Sequence, residues 1–266
     1  MKNKYFAYIA CFTLLTLFLA GCTKEASQKP EQTITDKSLQ NIKDRGKLIV
    51  GTYGEIPYIT FLDESKNFAG YDTEIARDIA SKLEVSVEFR KMSFPEMFTA
   101  VKKGDVDILM SVITITPERS LEMLFSIPYF QGGQALMVRK DNPSIKSIED
   151  LLGKKIGVLK GTTGESATLS LPNISKSTVI SYENSASRNP DLISGKIDVA
   201  VEDYVGLVGY VKEDSSLMIA GEPFTQEYYG IVTKLGNDAL MDEINKILRD
   251  MKRTGRLDEI KKKWMN

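Results

Sequence analysis

The stretch GDVDILMSVITITPER, Gly104 to Arg119, is the part of the chain on which the architecture turns. Val106-Asp107-Ile108-Leu109-Met110 is short, β-branched and apolar, the pattern of a buried strand. Thr116 then precedes Pro117, which places an N-cap before a proline in the first helical position, where the absent N–H leaves no bond unmade. Counting from that cap puts Arg119 in the first turn. A cation there opposes the macrodipole and lies beside N–H groups that lack partners. Two readings stay open: Arg119 pairs with a surface carboxylate, or its planar fork and the amides around Thr114 face a common anion.

Upstream, Lys47-Leu48-Ile49-Val50-Gly51 reads as a strand, and Thr52 to Phe61 as a loop carrying Tyr53, Glu55, Pro57 and Tyr58. Asp72 to Leu83 has apolar residues at helical spacing (Ile75, Ala76, Ile79, Ala80, Leu83) behind an expected Asp72 cap. Val85 to Phe89 alternates as a strand, and Pro95 to Lys103 is a second helix closed by Gly104. A helix between successive strands predicts a doubly wound parallel sheet.

After Tyr129-Phe130-Gln131-Gly132-Gly133 the pattern restarts. Ala135 to Arg139 and Lys155 to Leu159 are expected strands, with a short helix led by Ser147 between them. Gly195-Lys196-Ile197-Asp198 repeats the form of Gly104-Asp105-Val106-Asp107 ahead of an apolar strand, which fits two lobes of similar build. Tyr228 to Thr233 reads as another strand. Asp238 to Lys252 is a long amphipathic helix, and Gly255 separates it from a last helix ending at Trp264.

Composition narrows the chemistry. The 266 residues are 42% hydrophobic and 27% charged, globular in character, with a formal charge of -1 that offers nothing to nucleic acid. The absence of histidine removes every His-dependent triad and most zinc sites. The two cysteines, Cys11 and Cys22, both lie in an N-terminal export signal, so the mature chain is expected to hold neither a disulfide nor a thiol nucleophile. Lys2 and Lys4 form its basic start and Tyr5 to Ala20 its apolar core. Without those two lysines the 35 basic residues become 33 against 36 acidic, a charge near -3. Thr23 to about Ser38 is polar and reads as a tether.

Ligands in open α/β sheets collect beyond the carboxyl ends of strands, and four loops leave such ends here. They carry Tyr53, Glu55 and Tyr58; Thr114 and Arg119; Lys160-Gly161-Thr162-Thr163-Gly164; and Glu202-Asp203. Each has a plainer reading: Thr162-Thr163 as a tight turn into a helix, Asp203 as a helix cap. Together they supply a fixed cation, a fixed anion, amide donors and aromatic rings, the complement of a free amino acid. Neither charge of a zwitterion can be buried without a partner.

These residues resemble the family 3 solute-binding proteins of ABC importers for polar amino acids. The matching segments are Gly70-Tyr71-Asp72, Thr114-Ile115-Thr116-Pro117-Glu118-Arg119, Phe125-Ser126 with Pro128-Tyr129, Lys160 to Glu165, Tyr229-Gly230-Ile231, and Gly255 to Trp264. The resemblance runs from about residue 40 to the C-terminus. It implies a two-lobed α/β fold, the periplasmic-binding-protein type II fold, with each lobe a mainly parallel sheet flanked by helices. Lobe 1 would comprise 40–128 and 232–266, lobe 2 134–226, and the two hinge crossovers 129–133 and 227–231. Arg119 and Thr114 would hold an α-carboxylate with Thr162 and Thr163. Asp203 and the Val112 carbonyl would hold the α-ammonium, and Phe94 would stack on the side chain. Ile56 stands where an aromatic is common, with Tyr53 or Tyr58 as substitutes. Glu55, Lys160 and Glu202 complete the expected pocket.

Leu19-Ala20-Gly21-Cys22 resembles a lipobox, implying removal of residues 1–21, acylation of Cys22 (palmitate or a similar chain) and a tether over 22–39. The implied protein is a monomer without cofactor or metal, anchored in the cell envelope on the outer face of the cytoplasmic membrane or in the periplasm. It would deliver a polar L-amino acid to permease subunits. The competing expectations are a cyclohexadienyl-dehydratase-like enzyme, with Glu202 or Glu55 as general acid, and a ligand-sensing domain.

Overall fold

A computed structural model describes residues 36–265. The expected signal peptide, Cys22 and the tether up to residue 35 lie outside the described residues. The tether's expected end does not hang free: Ser38 Oγ accepts the Leu240 N–H at 3.2 Å, and the Asp36 carboxylate accepts that of Ala239.

In chain order the elements begin with α1 (Ser38–Arg45), β1 (Lys47–Thr52), the hairpin β2 (Phe61–Leu62) and β3 (Phe68–Ala69), α2 (Tyr71–Lys82), β4 (Ser86–Lys91) and α3 (Phe94–Lys103). Next come β5 (Ile108–Leu109), α4 (Pro117–Ser120), β6 (Met123–Phe125), β7 (Phe130–Gly132), β8 (Gln134–Arg139), β9 (Ile156–Leu159), α5 (Thr163–Ser170) and β10 (Val179–Tyr182). The chain closes with α6 (Ser185–Ile193), β11 (Val199–Asp203), α7 (Tyr204–Glu213), β12 (Leu217–Ala220), β13 (Glu227–Tyr229), β14 (Val232–Lys234), α8 (Asp238–Arg253) and α9 (Arg256–Met265).

Two five-stranded sheets result, ordered β4-β1-β5-β14-β6 and β10-β9-β11-β8-β12. In each, four strands run one way and a single strand, β14 or β8, runs against them. The reversed strand of each sheet is the one delivered by a crossover from the other lobe. The crossovers themselves pair as a two-stranded ribbon, β7 with β13. The expected single strand Tyr228–Thr233 is therefore two. It breaks at Gly230, where a Cβ would lie 3.1 Å from the Ile115 and Phe125 side chains, a close approach that glycine makes without displacing them.

Packing follows the pleat. In β8, Leu136 and Val138 face one apolar cluster with Ile156, Val199 and Val201, while Ala135 and Met137 face another with Leu207 and Leu217. The first lobe buries Leu48, Val50, Ile75, Met97 and Ile108 against the apolar face of α8. Local chemistry sets the ends: Ser93 and Glu96 form a capping box on α3, and Gly104 closes it in the left-handed conformation. The repeated Gly-x-β-Asp motif has one role in both lobes. Asp107 Oδ2 accepts the Ile49 N–H at 2.7 Å and Asp198 Oδ2 accepts that of Lys155 at 2.8 Å, each tying its strand to the neighbouring one.

Candidate functional site

The loop after β5 is bent so that Val112, a β-branched residue, sits at φ 44. Asp72 holds it there: Oδ2 accepts the Val112 N–H at 2.8 Å and Oδ1 accepts the Tyr129 hydroxyl at 2.9 Å. The sequence places Asp72 as the cap of α2, but Gly70 occupies that position and Asp72 is the second residue of the helix, its carboxylate aimed at the loop. Burial pushes Asp72 up to about 7, against the two hydrogen bonds that lower it. An acid raised on folding binds its proton more tightly in the native state, so its contribution favours folding at low pH and fades as pH rises through about 7. Wild type is expected to lose stability, on the order of a few kcal/mol, between about pH 4 and pH 7, and Asp72→Asn to lose less. Urea unfolding across that range checks this; equal pH slopes in the two proteins would refute it.

Thr116 caps α4 as expected, its Oγ1 accepting the Arg119 N–H at 3.2 Å. Arg119 then reaches inward. Nη1 donates to the Thr114 carbonyl at 3.0 Å, and Nη2 donates across the cleft to the Gly161 carbonyl at 3.2 Å. Its guanidinium carbon lies 5.5 Å from the Phe94 ring centre and 5.0 Å from that of Phe98. Burial lowers its pKa, while the fields of Asp203, Glu227 and Glu118 raise it.

Facing Arg119 is an acidic cluster built from both lobes and the ribbon. Glu227 Oε2 accepts the Thr114 hydroxyl at 2.6 Å, the Thr163 hydroxyl at 2.9 Å and Gln134 Nε2 at 3.3 Å. The same Gln134 nitrogen donates to Asp203 Oδ1 at 2.9 Å, which also accepts the Tyr229 hydroxyl. Gln134 Oε1 is buried without a donor. Burial, then the Glu227 charge, pushes Asp203 up to about 8. Among the described residues, no ion pair within 4 Å includes Arg119, Asp203 or Glu227.

Elsewhere between the lobes, Tyr53 Oη accepts the Ser185 N–H at 3.0 Å and Tyr210 donates to the Glu55 carbonyl at 3.0 Å. Tyr53, Glu55, Lys91, Ser93, Glu183 and Asn184 line a cavity of about 350 Å³. Glu55 Oε1 pairs with Lys91 at 2.9 Å, and Oε2 is buried without a partner.

The fold thus gathers Phe94, Thr114, Arg119, Thr163 and Asp203 between the lobes and sets Tyr53 and Glu55 beside a neighbouring cavity, while Val112, two residues before Thr114, is held by Asp72. Four expected residues sit differently. Tyr58 lines a separate space of about 590 Å³ with Phe130 and Trp264, because its backbone turns at φ 62. Lys160 is exposed and pairs with Glu183 at 2.8 Å. The Thr162 hydroxyl is engaged as the cap of α5, accepting from Glu165 and donating to Leu159. Glu202 alternates to the opposite side of β11 from Asp203, where the fully buried Arg188 pairs with it. Asp203 precedes α7 but makes no capping bond. Sequence reading did not select Gln134, Glu227 or Tyr229; an acid and an amide flanking otherwise apolar strand segments were the available signal.

The fold and this cleft define a two-lobed binding protein of the type II periplasmic class. Residues 48–266 match the family described as bacterial extracellular solute-binding proteins, family 3, and the chain belongs to that family. The ABC transporter glutamine-binding protein GlnH of Bacillus subtilis (strain 168) is 33% identical over 264 residues, 97% of this chain and 95% of its own length. An ancestral arginine-binding protein, solved with arginine bound, is 40% identical with a TM-score of 0.78, covering 84% of this chain and 99% of that one. The ancestral amino acid-binding protein AncCDT-1, a precursor of cyclohexadienyl dehydratase, is 34% identical with a TM-score of 0.79 over 86% and 100%. The chain is accordingly a solute-binding protein of that family, and the relatives it resembles, GlnH and the L-cystine-binding protein TcyJ of Escherichia coli (strain K12) among them, are by name amino-acid-binding proteins.

Proposed function

We propose that this chain is the receptor of an ABC importer, closing its lobes on one free polar L-amino acid. The observation that carries the reading is the charge arrangement. Among the described residues, a guanidinium with no carboxylate within 4 Å, Arg119, and two carboxylates with no cation within 4 Å, Asp203 and Glu227, lie in one another's field. A zwitterion neutralises both at once. Arg119, Thr114 and Thr163 take the α-carboxylate, and Asp203 with the Val112 carbonyl takes the α-ammonium. Phe94 seats the guanidinium and packs on the ligand. The unpartnered Glu55 oxygen favours a side chain that carries N–H donors, as those of glutamine and arginine do.

Closure is a hinge motion of lobe 1 (40–128, 232–266) against lobe 2 (134–226) about 129–133 and 227–231, the segments through which the chain passes between them and which pair as the ribbon. The permease subunits receive the closed, monomeric form. A thermal-shift screen of the twenty amino acids tests the reading, because a ligand that binds only the folded state raises Tm. Absence of a shift from every one of them would end it. We place the protein on the outer face of the membrane through an acylated Cys22. Cys22→Ala is expected to move it from the membrane fraction to the soluble one, and an unchanged distribution would refute the anchor.

A further inference from the structure

Asp203 was expected to be the only acid at the ammonium end of the cleft, yet the ribbon strand β13 brings a second. Glu227 and Asp203 are both within hydrogen-bond reach of the single nitrogen Gln134 Nε2, at 3.3 and 2.9 Å. Two carboxylates so close, shielded from water, repel one another, and burial with the Glu227 charge favours the neutral form of Asp203. The charged and titratable groups around the pair are few. Arg119 and Glu118 come from α4, Glu202 from β11 and Tyr229 from β13. Glu202 is held by Arg188, Tyr229 supplies a hydroxyl donor, and Arg119 reaches the pair only through its field.

We infer that Glu227 is a second carboxylate for the ligand's ammonium, and that Asp203 beside it carries a proton which the arriving ammonium displaces. The inference rests on the amino-acid reading above and deepens it. The exchange balances: an ammonium enters bearing one positive charge, one proton leaves for the buffer, and the charge of the site is unchanged. Glu227 is suited to report occupancy. Its Oε2 accepts hydroxyls from Thr114 in lobe 1 and Thr163 in lobe 2, and its backbone belongs to the ribbon about which the lobes would swing. The raised Asp203 agrees with a proton resident in the ligand-free cleft.

Two measurements on the full folded chain separate this from the reading beneath it. In ligand-free protein with isotope-labelled carboxyl groups, infrared spectra near neutral pH should contain a protonated carboxyl band that Glu227→Gln removes and Asp72→Asn leaves in place. Calorimetric titration with L-arginine and with L-glutamine, in buffers of different ionisation enthalpy, should then show release of about one proton near pH 7, with affinity weakening about tenfold per pH unit on acidification. Glu227→Gln should bind with a pH-flat affinity and release none. Absence of that band, or a proton release that Glu227→Gln does not change, would overturn the inference whichever amino acid binds. If no amino acid binds while the band is present and depends on Glu227, the receptor reading and the ammonium exchange fall together, and only the proton on Asp203 stands.

Discussion

Arg119→Ala is expected to remove amino-acid binding almost entirely, raising Kd by roughly thirtyfold to several thousandfold, the effect of about 2–5 kcal/mol at a buried charge-assisted contact. The residue has three independent constraints on its pose: the Phe94 and Phe98 rings beneath it, the Thr114 carbonyl and the Gly161 carbonyl of the opposite lobe. Its fork is therefore oriented before a ligand arrives. Removing it leaves a ligand carboxylate buried beside Asp203 and Glu227 with no cation. Arg119→Lys should recover only part of the affinity, because a point charge does not reproduce a planar pair of donors. Calorimetry on both variants decides the matter; affinity for Arg119→Ala within threefold of wild type would rule out the carboxylate role.

Arg188→Met should be the most damaging single change to stability, costing about 3–5 kcal/mol. Arg188 is fully buried in α6, where it pairs with Glu202, donates to Asn189 and to the Val201 carbonyl, and lies 5.9 Å from the Tyr210 ring centre. Its loss strands the Glu202 carboxylate in a dry interior. The double variant Arg188→Met with Glu202→Leu should regain most of the deficit, since removing both charges leaves no uncompensated one. Because Glu202 adjoins Asp203, the single variant should also weaken ligand binding, and the double variant should restore it in part. Urea midpoints test the stability claim; a loss below about 1 kcal/mol for Arg188→Met would mean that water reaches Glu202.

The local physics of this chain is written in short signals that sequence alone discloses. Thr116-Pro117 starts α4, Ser93 with Glu96 starts α3, and Gly104 ends it, because caps depend on neighbours within a few residues. Apolar runs near Leu48, Ile108, Val158 and Ala200 mark strands for the same reason: burial on both faces leaves no polar alternation. The Asp107 and Asp198 repeat announces two lobes of like construction.

What the sequence by itself determined is thus the identity of most elements, the two-lobed plan and the cation at the start of α4. Tertiary structure alone decided the partners. A carboxylate looks the same on paper whether it caps a helix, as Asp72 was expected to, or holds a strained loop from two residues inside it. Glu202 and Asp203 are adjacent, yet the pleat sends one to Arg188 and the other to the cleft. Glu227 reaches the site because β13 pairs with β7 far back in the chain, Glu227 opposite Gly132. The physical reason is range: capping and periodicity act over a few residues, whereas the pairing of buried charges depends on groups brought together from far along the chain.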